Sequence, residues 1–202
     1  MIRLLRNRHA LSTVITTLII LVVSILLASV LTYFATNVVG TRVQEENLHL
    51  TRQHVRINSA SQPGDADYCV ASLMVLNTGG RDVVINKIAV RGQDCSWSDA
   101  INNKFIVYAV TNDLISGDMG FVGNFTANPN PGDNTVTFGG KDYEFAVATT
   151  YVVLPSGSTM LIYIMNPDSV SVNDVGLTIS LAVHSAQAVY YSEANIQAYM
   201  AP

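Results

Sequence analysis

The stretch that decides the fold runs from Val14 to Phe34 and reads VITTLIILVVSILLASVLTYF. No Asp, Glu, Lys, Arg or His occurs anywhere between Ala10 and Thr41. A helix needs about 20 apolar residues to cross the hydrocarbon core of a bilayer, so we predict a membrane-spanning helix here. A secretory signal peptide is the competing interpretation. Its apolar core is usually about 7–15 residues long and is followed by a small-residue cleavage site, whereas this stretch is longer and no such site follows it cleanly.

Basic residues on one side of this stretch predict its orientation. Arg3, Arg6 and Arg8 precede it, and Arg42 is the basic residue that follows it closely. An excess of Lys and Arg marks the cytoplasmic side of a membrane helix. We therefore expect the N-terminus in the cytoplasm and the residues after about position 42 outside the cell.

The charge of the remaining chain argues against nucleic acid as a partner. The chain has 202 residues, 11 of them Lys or Arg and 15 of them Asp or Glu. Three of the basic residues belong to the leader, which leaves eight against fifteen acidic residues. Binding to nucleic acid requires clustered Lys and Arg that neutralise phosphates. The net charge of this part of the chain is negative, which disfavours such binding.

Nothing in the sequence indicates catalysis, a metal or a cofactor. His49 and His54 are five residues apart, which is the wrong spacing for a metal pair on a helix, and His184 has no partner that suggests a catalytic triad. The sequence contains no G-x-S-x-G, no phosphate-binding Walker loop and no C-x-x-C. We expect a protein that is not an enzyme and that binds no cofactor.

Small side chains recur along one face of the apolar helix. Helices that lie in an apolar environment approach each other closely where their side chains are small, because packing drives their association there. The predicted packing residues are Thr13, Thr17, Ser24, Ala28, Thr32 and Ala35. No proline interrupts the sequence before Pro63, so the helix is predicted to continue beyond the membrane and to occupy residues 11–58. The spacing of Leu48, Leu50, Val55 and Ile57 also allows a strand.

The segment Ser59–Asp67 (SASQPGDAD) has the composition of a loop and is the predicted boundary of a second domain, residues 59–202. Asn77-Thr78-Gly79-Gly80 is predicted to be a hairpin connection. Short β-branched runs alternate here with Gly, Asn, Asp and Pro. Seven or eight short strands predict an immunoglobulin-like antiparallel β-sandwich, and with the helix an α+β chain. The candidate strands are Tyr68–Leu76, Asp82–Val90, Phe105–Thr111, Thr135–Phe138, Tyr143–Leu154, Thr159–Met165, Leu177–His184 and Val189–Gln197.

Two covalent features are predicted for an exported domain. Cys69 and Cys95 can form a disulfide, and closing a loop of about 26 residues would stabilise the fold by roughly 3–4 kcal/mol. Two free buried thiols are the alternative. Asn124 begins an Asn-Phe-Thr acceptor sequence for N-glycosylation within a loop rich in Gly, Asn and Pro.

The segment RHALSTV, residues 8–14, resembles the class III signal peptide of archaeal type IV pilins and archaellins, in which a short basic leader meets a small residue just before the apolar helix. The resemblance implies that residues 1–10 are a signal peptide cleaved between Ala10 and Leu11. His9 stands where that family usually has Lys or Arg. Val75–Gly92 and Leu154–Ile164 also resemble strands in the heads of these proteins.

The resemblance implies a structural subunit of an extracellular archaeal type IV pilus, a surface adhesion filament that polymerises through its N-terminal helix. Its partners would be other copies of the chain, a prepilin peptidase and a membrane assembly platform. An archaellum filament subunit is one alternative. A monomeric membrane-anchored binding domain is another, and it would need no cleavage at Ala10. An exported enzyme is a third.

Overall fold

A computed structural model of the chain describes residues 8–58 and 68–199. The described part contains one long helix and thirteen strands, and it forms two compact units, residues 1–44 and 45–202. The elements are α1 (Arg8–Gln44), β1 (Leu48–Asn58), β2 (Tyr68–Asn77), β3 (Val83–Val90), β4 (Gln93–Asp94), β5 (Ser98–Asp99), β6 (Lys104–Thr111), β7 (Thr135–Phe138), β8 (Lys141–Glu144), β9 (Ala146–Val147), β10 (Val152–Leu154), β11 (Thr159–Met165), β12 (Thr178–Ser185) and β13 (Val189–Tyr199).

The helix α1 is shorter than predicted. It continues through Gly40 but ends at Gln44, and Leu48–Asn58 forms the strand β1. The prediction of helix over residues 11–58 is therefore wrong for its last part. The alternative, a strand built on Leu48, Val55 and Ile57, is the observed structure because these side chains are buried in the head.

The boundary between the two units consequently lies at Gln44 and not at Ser59. The predicted boundary segment, residues 59–67, is outside the described residues. The strands on either side of it, β1 and β2, are antiparallel neighbours in one sheet, with Ile57 opposite Cys69. Residues 59–67 therefore connect two strands of a single domain, and we refer to residues 45–202 as the head.

The strands form one large mixed sheet. Its order is β10-β3-β12-β13-β1-β2-β11-β6-β5, with β4 paired to β3 and β9 paired to β6, while β7 and β8 form a separate two-stranded sheet. The first and last strands of the head, β1 and β13, pair in parallel, with Val55 opposite Ile196. The prediction of a purely antiparallel sheet is therefore wrong, because this one pair of strands is parallel.

Two predicted connections differ from the observed ones. The turn at Asn77–Gly80 joins β2 to β3, but these strands are not neighbours, so it is not a hairpin. The buried Asn77 side chain organises this turn, since its amide donates to the carbonyls of Arg81 and Leu154. The predicted strand Tyr143–Leu154 is divided among β8, β9 and β10, which pair with three different strands.

The turn after β2 also fixes the point at which the chain enters the head. The backbone N–H of Thr78 donates to Asn47 O at 2.9 Å, and that of Gly80 donates to Glu45 O at 3.3 Å. A Cβ at Gly79 would lie 2.6 Å from Glu45 O, so only glycine allows the two backbones to come this close. The first residues after the helix unit are thus bound to the body of the head.

Buried side chains form two cores that share strand β11. The first core takes side chains from both ends of the strand order, for example Ile85 of β3 and Ile106 of β6. Along β11, Met160, Ile162 and Ile164 belong to the first core, and Leu161, Tyr163 and Met165 belong to the second. Because side chains alternate between the faces of a strand, β11 is buried on both faces. This explains its unbroken apolar sequence.

The irregular segment 112–134 covers the second core. Phe125 lies 5.1 Å from the ring of Tyr163, and the Tyr163 hydroxyl donates to Gly120 O at 3.1 Å. Strand β1 holds the same segment through a 2.8 Å contact between His54 Nε2 and Asp118 Oδ1, and through a 2.7 Å hydrogen bond from Arg56 to Met119 O. Polar contacts therefore attach the segment 112–134 to β11 and to β1.

Candidate functional site

The surface of α1 is the first candidate functional site. Residues Ser12–Thr41 form a 30-residue apolar span, and within it an 18-residue window reaches a mean hydropathy of 2.9. Its large apolar side chains are exposed in every direction around the axis, for example Leu18 at 61%, Val22 at 45% and Leu31 at 61%. A helix that is apolar all round requires an apolar environment, either a membrane or other helices. The predicted apolar helix is confirmed as an element, and its surroundings remain a prediction.

Most Ser and Thr hydroxyl groups of α1 are satisfied within the helix itself. Each of seven hydroxyls donates to a carbonyl three or four residues earlier at 2.7–2.9 Å; they belong to Thr16, Thr17, Ser24, Ser29, Thr32, Thr36 and Thr41. In a hydrocarbon environment an unpaired polar group costs several kcal/mol, so this pairing removes a penalty for insertion. The Ser and Thr residues of this helix can therefore face lipid or another helix.

The predicted packing residues lie on one face of this continuous helix. At about 100° per residue, the six residues from Thr13 to Ala35 occupy about 100° of arc. Ala28 is close to the middle of that arc, between Ser24 and Thr32 on successive turns. Leu21 lies within the same arc and Leu31 lies at its edge. Over the second half of the helix, large side chains are therefore absent only from the narrower arc shared by Ser24, Ala28, Thr32 and Ala35. Close approach between helices is consequently expected around Ser24–Ala35.

The predicted cleavage bond, Ala10–Leu11, lies at the beginning of α1. Its backbone is helical, since α1 starts at Arg8. The first four N–H groups of a helix have no partner within the helix, so this turn opens more easily than those after it. A peptidase that needs an extended backbone therefore meets the least resistance here. Cleavage itself remains a prediction.

The structure brings Cys69 and Cys95 into the same core but does not join them. Both are free thiols; Cys69 is buried, and the partly exposed Cys95 packs against the first core. Burial raises the pKa of each thiol to about 12, and the charge of Cys95 contributes to the shift at Cys69. The predicted bridge is not formed in the structure. Its formation in exported protein stays a prediction.

Asn124 is exposed, whereas the next residue of its acceptor sequence, Phe125, points into the second core. The third residue, Thr126, is held by a pair of hydrogen bonds with Asn134: its N–H donates to Asn134 Oδ1 at 2.9 Å, and its carbonyl accepts from Asn134 Nδ2 at 3.0 Å. The asparagine is thus presented on an irregular surface segment. Its glycosylation remains a prediction.

The described part of the head contains no group of three or more His, Cys, Asp and Glu side chains that could hold a metal ion. His54 contacts Asp118, as described above. Burial alone would raise the pKa of Asp118, but hydrogen bonds from His54 and from the Met119 backbone, with the charge of Arg56, hold it below its ordinary value. This pair connects two segments of the head.

No known protein-family model matches this sequence, and a search of curated proteins finds no significant match. The sequence, the helix and the head must therefore carry any functional inference by themselves.

Sequence reasoning missed one feature of the head. A cleft of about 670 Å³ lies where β1 ends and where β2 and β6 begin, with Ile57, Tyr68 and Lys104 among its lining residues. Its walls come from segments that are far apart in the sequence. The nearest signal in the sequence is a set of asparagines just outside predicted strands, at positions 102, 103 and 166.

Proposed function

We propose that this chain is a structural subunit of an extracellular archaeal type IV pilus, a surface adhesion filament. In this proposal α1 spans the membrane before assembly and forms the filament core afterwards. The head forms the outer surface. The observation that carries the proposal is the length of the uncharged, all-round apolar helix, which exceeds what a membrane anchor requires.

The uncharged span of α1 is longer than the hydrocarbon core of a bilayer is thick. The 30-residue span is about 45 Å long at 1.5 Å per residue, whereas the hydrocarbon core of a bilayer is about 30 Å thick. In a membrane the core accommodates only the most apolar part, Val14–Phe34, which is about 31 Å long, and the uncharged residues up to Thr41 would extend beyond it. A bundle of like helices imposes no such thickness limit. The excess length therefore favours a helix whose final environment is a helical core.

Assembly must be driven by packing, because lipid and a helix bundle are both apolar. Moving the helix from one to the other gives little hydrophobic gain, so van der Waals contact between close helices supplies the specificity. Ser24, Ala28 and Thr32 offer the face on which such close contact is possible. Since the hydroxyls of Ser24 and Thr32 are already bonded within the helix, approach of a second helix breaks no hydrogen bond.

For the head we propose a two-layer, immunoglobulin-like arrangement. Two observations support it. Strands from opposite ends of the strand order contribute to one core, and the connection from β2 to β3 joins strands that are not neighbours. Two sheets packed face to face share a core in this way. The parallel pairing of β1 with β13 would be the link between the layers.

The proposal includes a biogenesis. The basic leader keeps the N-terminus in the cytoplasm, a prepilin peptidase cuts between Ala10 and Leu11, and a membrane platform with its cytoplasmic ATPase extracts the subunit from the membrane. The resemblance of residues 8–14 to class III signal peptides supports these partners. Copies of the same chain are the partners within the filament.

The test is to purify surface filaments from cells that express the chain, to image them by electron microscopy and to identify their subunit by mass spectrometry. We expect filaments composed of this chain with its leader removed. If the chain stays in the membrane and no filament contains it under any growth condition, the pilin proposal fails and a monomeric anchored domain takes its place. Filaments that rotate during swimming would indicate the archaellum alternative.

A further inference from the structure

The cleft lies at the C-terminal end of β1. The chain leaves α1 at Gln44 and enters β1 at Leu48, whereas Ile57, near the other end of β1, lines the cleft. At about 3.3 Å per residue these two ends are about 30 Å apart. Within the head, the entry of the chain and the cleft are therefore at opposite ends of β1.

Hydrogen bonds from Asn166 organise the floor of the cleft. Its Oδ1 accepts from the Cys69 N–H at 3.0 Å, its Nδ2 donates to Asn103 O at 3.0 Å, and its own N–H donates to Cys69 O at 2.8 Å. One side chain thus joins the beginning of β2, the turn before β6 and the end of β11. Such cross-links arrange the cleft before any ligand arrives, which lowers the cost of binding.

Two lining asparagines have backbones in the left-handed region, with φ values of 54° at Asn103 and 48° at Asn166. Asparagine is among the non-glycine residues that adopt this conformation most readily, so both values fit the turn positions next to β6 and β11. The side chain of Asn166 is not available to a ligand, because both of its polar atoms already form the hydrogen bonds described above. The side chain of Asn103 is exposed and makes no hydrogen bond within the described part of the chain, so both its donor and its acceptor are available.

An aromatic ring forms another wall. The Tyr68 ring packs against Phe121 with centroids 5.6 Å apart. A Cβ at Gly123 would lie 2.2 Å from Tyr68 Oη, so the glycine leaves the space that this ring occupies. The ring is therefore held in place from one side by the segment 112–134. Among the described residues that line the cleft, Lys104 is the one basic residue. It forms an ion pair with Asp168, so the two side chains together carry no net charge.

These features define the ligand by its chemistry. A volume of about 670 Å³ is within the range of ligand pockets, about 300–1,000 Å³. The paired lysine disfavours phosphate and nucleic acid, and the asparagines and serine of the lining disfavour a lipid chain. Amides beside an aromatic ring suit a neutral ligand that carries many hydroxyls on an apolar ring.

We propose that this cleft binds neutral carbohydrate. The Tyr68 ring packs against the apolar face of a sugar, and the Asn103 amide and the Asp168 carboxylate hydrogen-bond to its hydroxyls. This inference rests on the proposed function and deepens it, because it gives an adhesive subunit a class of surface ligand.

The test uses the full-length chain in detergent micelles. Binding is screened on an array of neutral oligosaccharides of glucose, mannose, galactose and N-acetylglucosamine, and hits are titrated by calorimetry. We expect saturable binding to at least one of these. No saturable binding to any of them, or binding only to sulfated or phosphorylated glycans, overturns the proposal.

Two variants and a matched control make the result specific. Asn103→Gly removes the free amide and suits the positive φ, so we expect binding to weaken roughly 3–10-fold without unfolding. Tyr68→Leu removes the ring and should weaken binding further. Asn128→Gly, an exposed asparagine outside the cleft, should bind as the wild type does. Unchanged affinity in Asn103→Gly overturns the assignment even if Tyr68→Leu fails to fold. Since micelle-bound subunits need not polymerise, failure here is distinct from failure of filament assembly.

Discussion

Replacing Ala28 by leucine tests whether the small face of α1 is the contact between subunits. Ala28 is near the middle of the small arc, so a neighbouring helix at close approach would meet the larger side chain directly. Forcing extra carbon atoms into a well-packed contact costs about 1–3 kcal/mol. Because about 1.4 kcal/mol is tenfold in an equilibrium constant, Ala28→Leu should weaken addition of each subunit roughly 5–150-fold.

Membrane insertion should survive the same substitution. Leucine is favourable at the centre of a membrane helix by about 0.3–0.6 kcal/mol, and it is nearly as good a helix former as alanine. Ser29→Leu is the matched control, because it enlarges an adjacent small residue that lies outside the arc. The measurement is filament yield relative to the amount of subunit in the membrane. Equal yields for Ala28→Leu and Ser29→Leu would show that this face is not the contact.

Three further predictions concern processing, the thiols and acid stability. N-terminal sequencing of assembled material should find Leu11 as the first residue, and an intact leader would favour the plain anchor. A non-reducing peptide map of exported protein should show Cys69 joined to Cys95, because closing this loop stabilises the fold by roughly 3–4 kcal/mol; two free thiols would exclude the bridge. The pKa of Asp118 is held below its ordinary value, so its contribution to stability is present above about pH 4 and is lost as the pH falls through the lowered value. Urea midpoints between about pH 5 and pH 2 should therefore fall more steeply for the wild type than for Asp118→Asn, and parallel curves would show that its contact with His54 does not contribute.

The sequence predicts those elements whose signal is local. The uncharged stretch before Thr41 specifies a long helix by itself. Strands such as β11 and β6 are apolar, β-branched runs bounded by turn residues, and the structure confirms them. Their composition requires no knowledge of distant partners.

The sequence predicts helix at β1 and allows a strand only as an alternative, because the environment of β1 is not local. Its Arg, Gln and His residues suit an exposed helix as well as a strand. What makes it a strand is pairing on both sides, with β2 and with β13, and β13 is about 140 residues away in the sequence. The turn at Asn77 was misassigned for the same reason, since a glycine-containing turn does not reveal which strands it joins.

The cleft could not be predicted because its lining is assembled from distant segments. Tyr68, Asn103 and Asn166 lie in three different parts of the sequence and meet only because β2, β6 and β11 are adjacent. Asparagines between two strands ordinarily indicate a turn. Only the free side chain of Asn103 distinguishes it, and this is a property of the folded chain.

The place of β1 in the sheet has a mechanical consequence. The strand that follows the helix unit is an interior one, bonded to β2 through nine residue pairs and to β13 through four. Tension that reaches the head through Gln44 and pulls along β1 loads these ladders in shear, so many hydrogen bonds resist together. An edge strand such as β10, with three pairs, would peel away one bond after another. A pull along β1 would therefore meet the combined resistance of both ladders.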